Sequence, residues 1–208
     1  MENSLSRQIL LSILGLAILV VAVVGVSYAI FSTTLSGSKI NTLSSGTINM
    51  SYVEVSNGIS IVNAMPMSDE EGKKLVGNDY VFDFVVSSNI AGVTTVDYEV
   101  VAEKVLVNGA SLADSDVKIY LEKMVGDQYV AVPLTTPPQT FKANGVETDL
   151  GSHADDMILY RGSFTNAEAV KTEFSEKFRL RMWLSDKTVI DDVSRTFQIK
   201  VNVNGKVL

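Results

Sequence analysis

Phe197-Gln-Ile-Lys-Val-Asn-Val-Asn204 is the most regular stretch of the chain. Phe197, Ile199, Val201 and Val203 take every second position, and Gln198, Lys200, Asn202 and Asn204 fill the gaps. Successive side chains of a β-strand point to opposite faces, so this period of two predicts a strand with one face on a core and the other in water. A helix would need its apolar residues at a period of 3.6.

The same rhythm recurs upstream. Thr47 to Ser56 reads TINMSYVEVS, with Ile48, Met50 and Tyr52, then a slip to Val53 and Val55. Tyr80, Phe82, Phe84 and Val86 line one face, with Asp83 on the other. Val96, Tyr98, Val100 and Ala102 alternate likewise, as do Phe178, Leu180, Met182 and Leu184 against Arg179, Arg181 and Trp183. Gly126-Asp127 separates two alternating runs and predicts a two-residue hairpin, and Asn57-Gly58 predicts a second one. Asn108-Gly109 and Asn204-Gly205 are expected to end their strands. Ser68 to Leu75 suits one helical turn capped by Ser68, and Asn166 to Phe174 suits a short helix capped by Asn166 or Thr165. Leu134 to Asp156 has no periodicity, contains Pro137-Pro138, and reads as a surface excursion. Short strands separated by frequent turns predict an all-β fold, an antiparallel β-sandwich of jelly-roll type, preceded by one hydrophobic transmembrane or signal helix.

That helix is written in Ile9 to Phe31, 23 residues without a charge. At about 1.5 Å per residue it would reach about 35 Å, against a hydrocarbon layer of about 30 Å. It is apolar all round, unlike the amphipathic helix of a soluble core. Two fates compete, a retained signal anchor and a cleaved signal peptide. Length favours the anchor, whereas Ser27 and Ala29 sit three and one residues before a cleavage point at Ile30. Arg7 and the amino terminus precede the run and place the amino terminus inside. Residues 1–31 are therefore expected as leader, 32–46 as a Ser/Thr/Gly-rich linker or donor-strand segment, and 47–208 as the sandwich. The domain is expected at the cell membrane, or outside the cell after cleavage by a signal peptidase.

The composition narrows the chemistry. The chain has 208 residues, 17 basic and 24 acidic, for a net charge of −7, with one His and no Cys. It has no disulfide framework, no thiolate site and no pair of imidazoles for a metal. An acidic chain without a basic run argues against nucleic acid as partner. His153 lies beside Asp155 and Asp156 and is expected as a solvated loop residue. The acidic pairs at 69–71, 114/116, 155–156 and 191–192 do not have the spacing of a calcium loop, leaving a weak extracellular calcium site as the alternative. No nucleophile elbow, P-loop or dinucleotide fingerprint occurs. No catalytic, cofactor or metal residue is assigned. Trp183, on the polar face of its strand, either stacks on a sugar or partner or lies under a neighbouring loop. Ile30 to Leu43 is nearly uncharged and extended. Phe31, Thr33 and Leu35 are its candidates for self-assembly by strand addition to an exposed sheet edge.

Tyr28-Ala-Ile-Phe-Ser-Thr-Thr34, followed by Ser45-Gly-Thr-Ile-Asn-Met50, resembles the TasA/camelysin group of Gram-positive exported proteins, whose leaders are processed by a SipW-type signal peptidase. The likeness covers about 25 residues, and Asn49 stands where that group usually has an acid. It implies cleavage near Ala29 and a jelly-roll-like subunit of extracellular fibres that donates its mature amino-terminal strand. Camelysins are described as metalloendopeptidases, which gives one alternative function. A membrane-anchored adhesin using Trp183 and the 134–156 segment is another.

Overall fold

The computed structural model describes residues 13–19, 32–36, 41–45, 48–54, 60–62, 64–77, 80–142, 150–152, 154–191 and 193–208. They form two antiparallel sheets. The first contains, in spatial order, β1 (Ser32–Ser36), β12 (Thr196–Val207), β6 (Thr94–Lys104) and β10 (Met157–Asn166), with β4 (Ser60–Val62) also on β12. The second runs β2 (Asn41–Ser45), β3 (Ile48–Glu54), β5 (Val81–Ile90), β11 (Thr172–Leu184), β7 (Val117–Val125) and β8 (Gln128–Ala131), with β9 (Gln139–Thr140) also on β7. The long strands β5, β6, β7, β10, β11 and β12 alternate between the sheets, so each apolar face meets the next across one shared core.

The alternating runs supply that core. Phe82, Phe84 and Val86 of β5 and Phe178, Leu180 and Met182 of β11 face Val100 of β6 and Phe197, Val201 and Val203 of β12. Phe84 and Phe178, paired in register, stack with centroids 5.2 Å apart. Burying each such side chain contributes about 1.5–3 kcal/mol. The Gly126-Asp127 turn joins β7 and β8, with Gly126 at φ +60, a left-handed conformation that glycine tolerates.

Several local expectations fail, and long-range packing is the reason each time. β4 does not return onto β3: it pairs with β12, in the other sheet. The Asn57-Gly58 turn itself lies outside the described residues. Asn204-Gly205 lies inside β12, held between β1 and β6. No helix follows Asn166; a tight turn leads from β10 into β11. Residues 134–142 of the expected excursion are held to the fold, because Thr135, Pro138 and Phe141 are buried and β9 joins the second sheet, while residues 143–149 lie outside the described residues. Asn202 and Asn204, expected in water, are 6% and 1% exposed.

Helix is scarce. Residues 13–19, inside the apolar run, are helical and exposed (α1). α2 (Asp69–Gly72) is the turn expected at Ser68, whose hydroxyl accepts from the Glu71 N–H while the Glu71 carboxylate accepts from the Ser68 N–H. Among the described residues, no helix is long and apolar enough to cross a membrane.

Candidate functional site

β1, the first strand among the described residues, lies at a sheet edge. β1 lies antiparallel on β12, with Thr33 opposite Gly205 and Leu35 opposite Val203. On its other side β12 is paired with β6 from Ile199 to Val207. β4 takes the start of the β1 side, at Thr196–Gln198. β1 is thus a five-residue edge strand on the carboxy-terminal strand of its own chain. Of the proposed assembly residues, Thr33 and Leu35 fall in this strand. Phe31, and the cleavage residues Ser27, Ala29 and Ile30, lie outside the described residues.

Beside this seat, on the face of β6 and β12 away from the core, is a buried polar group. Glu99 is fully buried with Arg161 Nε 3.5 Å away. Asn202 Nδ2 donates to Glu103 Oε2 at 2.7 Å, and Lys200 pairs with the same oxygen at 2.8 Å. The side-chain oxygens of Asn202 and Asn204 are buried without a hydrogen-bond partner among the described residues. The period of two predicts which face these residues take; it carries no signal for what covers them.

Trp183 takes the covered alternative. It is 1% exposed, with α2 lying across its indole. A Cβ built on Gly72 would lie 2.2 Å from two carbons of that ring, so the one residue without a side chain permits the contact. Tyr120 meets the indole edge-on at 6.5 Å. The covering segment is tied down at both ends, by the Met67 N–H donating to Leu184 O at 3.0 Å and by Arg181 Nε donating to Leu75 O at 2.9 Å. Arg181 also pairs with Glu122. Nearer the open face, Arg179 grips Asp83 with two hydrogen bonds of 2.8 Å and stacks on Tyr129 at 4.1 Å. Trp183 in this position offers no platform to a sugar or a partner.

Two polar clusters pin the sheets together. Tyr98 donates to Glu176, and Lys123 Nζ contacts Glu176 at 2.7 Å and donates to the Tyr160 hydroxyl at 3.0 Å. Burial, then the neighbouring Glu176, push the Tyr98 phenol far above its ordinary range. Burial pulls down on the Lys123 ammonium, but its bonds to Glu176 and Tyr160 outweigh this and raise its pKa. A protonated phenol and a paired ammonium are poor nucleophiles, so this cluster is a clamp. Asn166 is the other pin. Its amide donates to Ile90 O at 2.9 Å and Val170 O at 2.8 Å, and accepts from the Glu168 N–H at 3.1 Å and the Thr172 hydroxyl at 3.2 Å.

At the end of the sandwich near the start of β12 lies a cavity of about 260 Å³, walled by Ala64, Leu112, Leu184, Val189, Ile190 and Arg195 among others. Arg195 forks onto Asp191 at its rim and holds that carboxyl below the usual range, chiefly through this hydrogen bond. Of the acidic groups considered for calcium, Asp114 pairs with Lys104, Asp191 with Arg195, and Glu71 caps α2. Among the described residues no three potential ligands cluster for a metal. His153 lies outside them.

The fold and these features define a two-sheet antiparallel β protein. No known protein family matches the chain, and no curated protein does. Among the solved structures that match, two show distant likeness. The infectious bursal disease virus VP2 subviral particle is 10% identical over 79% of this chain, with a TM-score of 0.36. This chain spans about a third (33%) of that one. TmCBM61, solved in complex with β-1,4-galactotriose, is 10% identical over 76% of this chain and 87% of its own, with a TM-score of 0.25. Likenesses this remote carry no inference about ligand or assembly.

Proposed function

We propose that this chain is an exported, non-enzymatic structural protein of the cell surface, whose β-sandwich is delivered by the leader and assembles through its amino-terminal strand. Residues 9–31 insert in the membrane, and the domain folds on the far side. The helical, exposed residues 13–19 support the leader reading, with Ile13 at 63% and Leu16 at 65% exposure. Two four-stranded sequences, β1-β12-β6-β10 and β5-β11-β7-β8, support the jelly-roll reading, since their order is that of a jelly roll with β2 and β3 added at one edge. The resemblance around Tyr28 to Met50 supports cleavage near Ala29.

One observation carries the assembly reading: β1, the first strand among the described residues, occupies an edge seat on β12 that an identical strand from another copy would fit equally well. Exchange of an element between copies needs no new contacts. The two fates of the leader then separate the roles. Cleavage releases a subunit able to join a fibre or matrix. Retention leaves a domain tethered by one helix, with β1 kept in its own sheet. Intact-mass measurement of the native protein, followed by electron microscopy of the purified product, tests this. A chain lacking residues 1–29 that forms fibres supports the subunit; a full-length, membrane-bound chain supports the tethered domain. A cleaved protein that stays monomeric under all conditions overturns assembly.

A further inference from the structure

We propose that Asn108-Gly109 is a site of spontaneous covalent modification, at which Asn108 deamidates through a succinimide, while Asn204-Gly205 is protected by the fold. In this chemistry the backbone nitrogen of the glycine attacks the side-chain Cγ of the preceding asparagine. A C–N bond forms, the Cγ–Nδ2 bond breaks, and the amide nitrogen leaves as ammonia. Water then opens the five-membered ring at either carbonyl, giving aspartate or an isoaspartyl link. Water is the only co-reactant. The step requires a free backbone N–H, a chain able to turn that nitrogen onto Cγ, and no Cβ on the following residue to obstruct it.

The loop between β6 and Ser111 meets these requirements. Asn108 and Gly109 are both exposed, in a bend where Gly109 has φ +109. Among the described residues, no hydrogen bond engages either one. Asn204-Gly205 is the same dipeptide in the opposite setting. It sits within β12, opposite Glu99 and Tyr98 of β6 on one side and Thr34 and Thr33 of β1 on the other. Asn204 is 1% exposed, and the extended ladder holds the Gly205 nitrogen in place. Two further pairs, Asn57-Gly58 and Asn144-Gly145, lie outside the described residues.

The change falls on a structured end of the molecule. It adds one negative charge, taking the net from −7 to −8. An isoaspartyl link also adds a methylene to a main chain that is fastened to β12 two and four residues later, by the Thr196 N–H donating to Ala110 O at 3.0 Å and the Leu112 N–H donating to Thr196 O at 3.2 Å. Leu112 walls the end cavity, so the modification alters the approach to it.

Incubating the folded full-length protein in heavy-oxygen water at mildly alkaline pH, with peptide mapping by mass spectrometry, tests this. Ring opening leaves one heavy oxygen at the modified residue. The peptide carrying Asn108 is expected to convert at least about tenfold faster than that carrying Asn204, because the paired strand must first open. In denaturant the two rates converge, and Asn108→Gln abolishes the first signal. Equal conversion of both peptides in the folded protein overturns the proposal. So does an unmodified Asn108 peptide under conditions where the denatured chain converts.

Discussion

Gly72 and Trp183 show how much one missing side chain can decide. The indole is buried because the α2 backbone lies directly on it, and that approach exists only for glycine. Gly72→Ala is expected to lift the covering segment and cost about 1–3 kcal/mol, the usual penalty for overpacking. Trp183 is the sole tryptophan, so the displacement should appear as a red shift in its fluorescence. An unchanged spectrum and unchanged stability would contradict the contact. Tyr98 makes a second residue-scale prediction. Its phenol is held protonated in the fold, above the ordinary value of 10.0 that the unfolded chain keeps. The unfolded state therefore releases a proton first as pH rises, and stability must fall above about pH 10. Below that pH both states are protonated and the contribution is intact. Tyr98→Phe should flatten this alkaline loss in denaturant titrations while lowering stability near neutrality by about 0.5–1.5 kcal/mol, the net worth of one hydrogen bond.

At the scale of elements, the turn after β10 and the strand β1 make the sharpest claims. Asn166→Ala would remove the donor to two carbonyls, one of them at the end of β5 in the other sheet, and should cost about 1–3 kcal/mol by chemical denaturation. A loss near zero would mean that the turn holds itself. Removing the chain up to residue 37 should expose the β12 edge, lower the melting temperature and promote association. A peptide spanning Ile30 to Leu43 should reverse both effects, and a truncated protein as stable and monomeric as the parent would contradict the role of β1. The strands themselves were legible because alternation is local: Phe82 to Val86, Phe178 to Leu184 and Phe197 to Val203 each announce a face. The Ser68 cap and the Gly126 turn were legible for the same reason. Pairing was not, because nothing in Ser60 to Val62 says that its partner is β12 rather than the adjacent β3. The helix expected after Asn166 failed because a capping residue and a turn-clamping residue share one chemistry, and the choice was made by carbonyls of Ile90 and Val170. The burial of Asn202, Asn204 and Trp183 was likewise set by segments remote in sequence, although Gly72 in the capped turn was a visible sign that something passes closely there.

For the whole molecule, the claim is one of address: the leader carries everything after it across a membrane, and the sandwich folds on the outer side. The chain contains no cysteine, so a single introduced thiol reports its own location without background. Val189 is 88% exposed on the loop between β11 and β12, where a substitution disturbs little. The decisive measurement is labelling of Val189→Cys in intact producing cells with a membrane-impermeant maleimide. The account predicts that the protein, whether on the cells or in the medium, is labelled before lysis. A thiol that reacts only after the cells are broken open would contradict it.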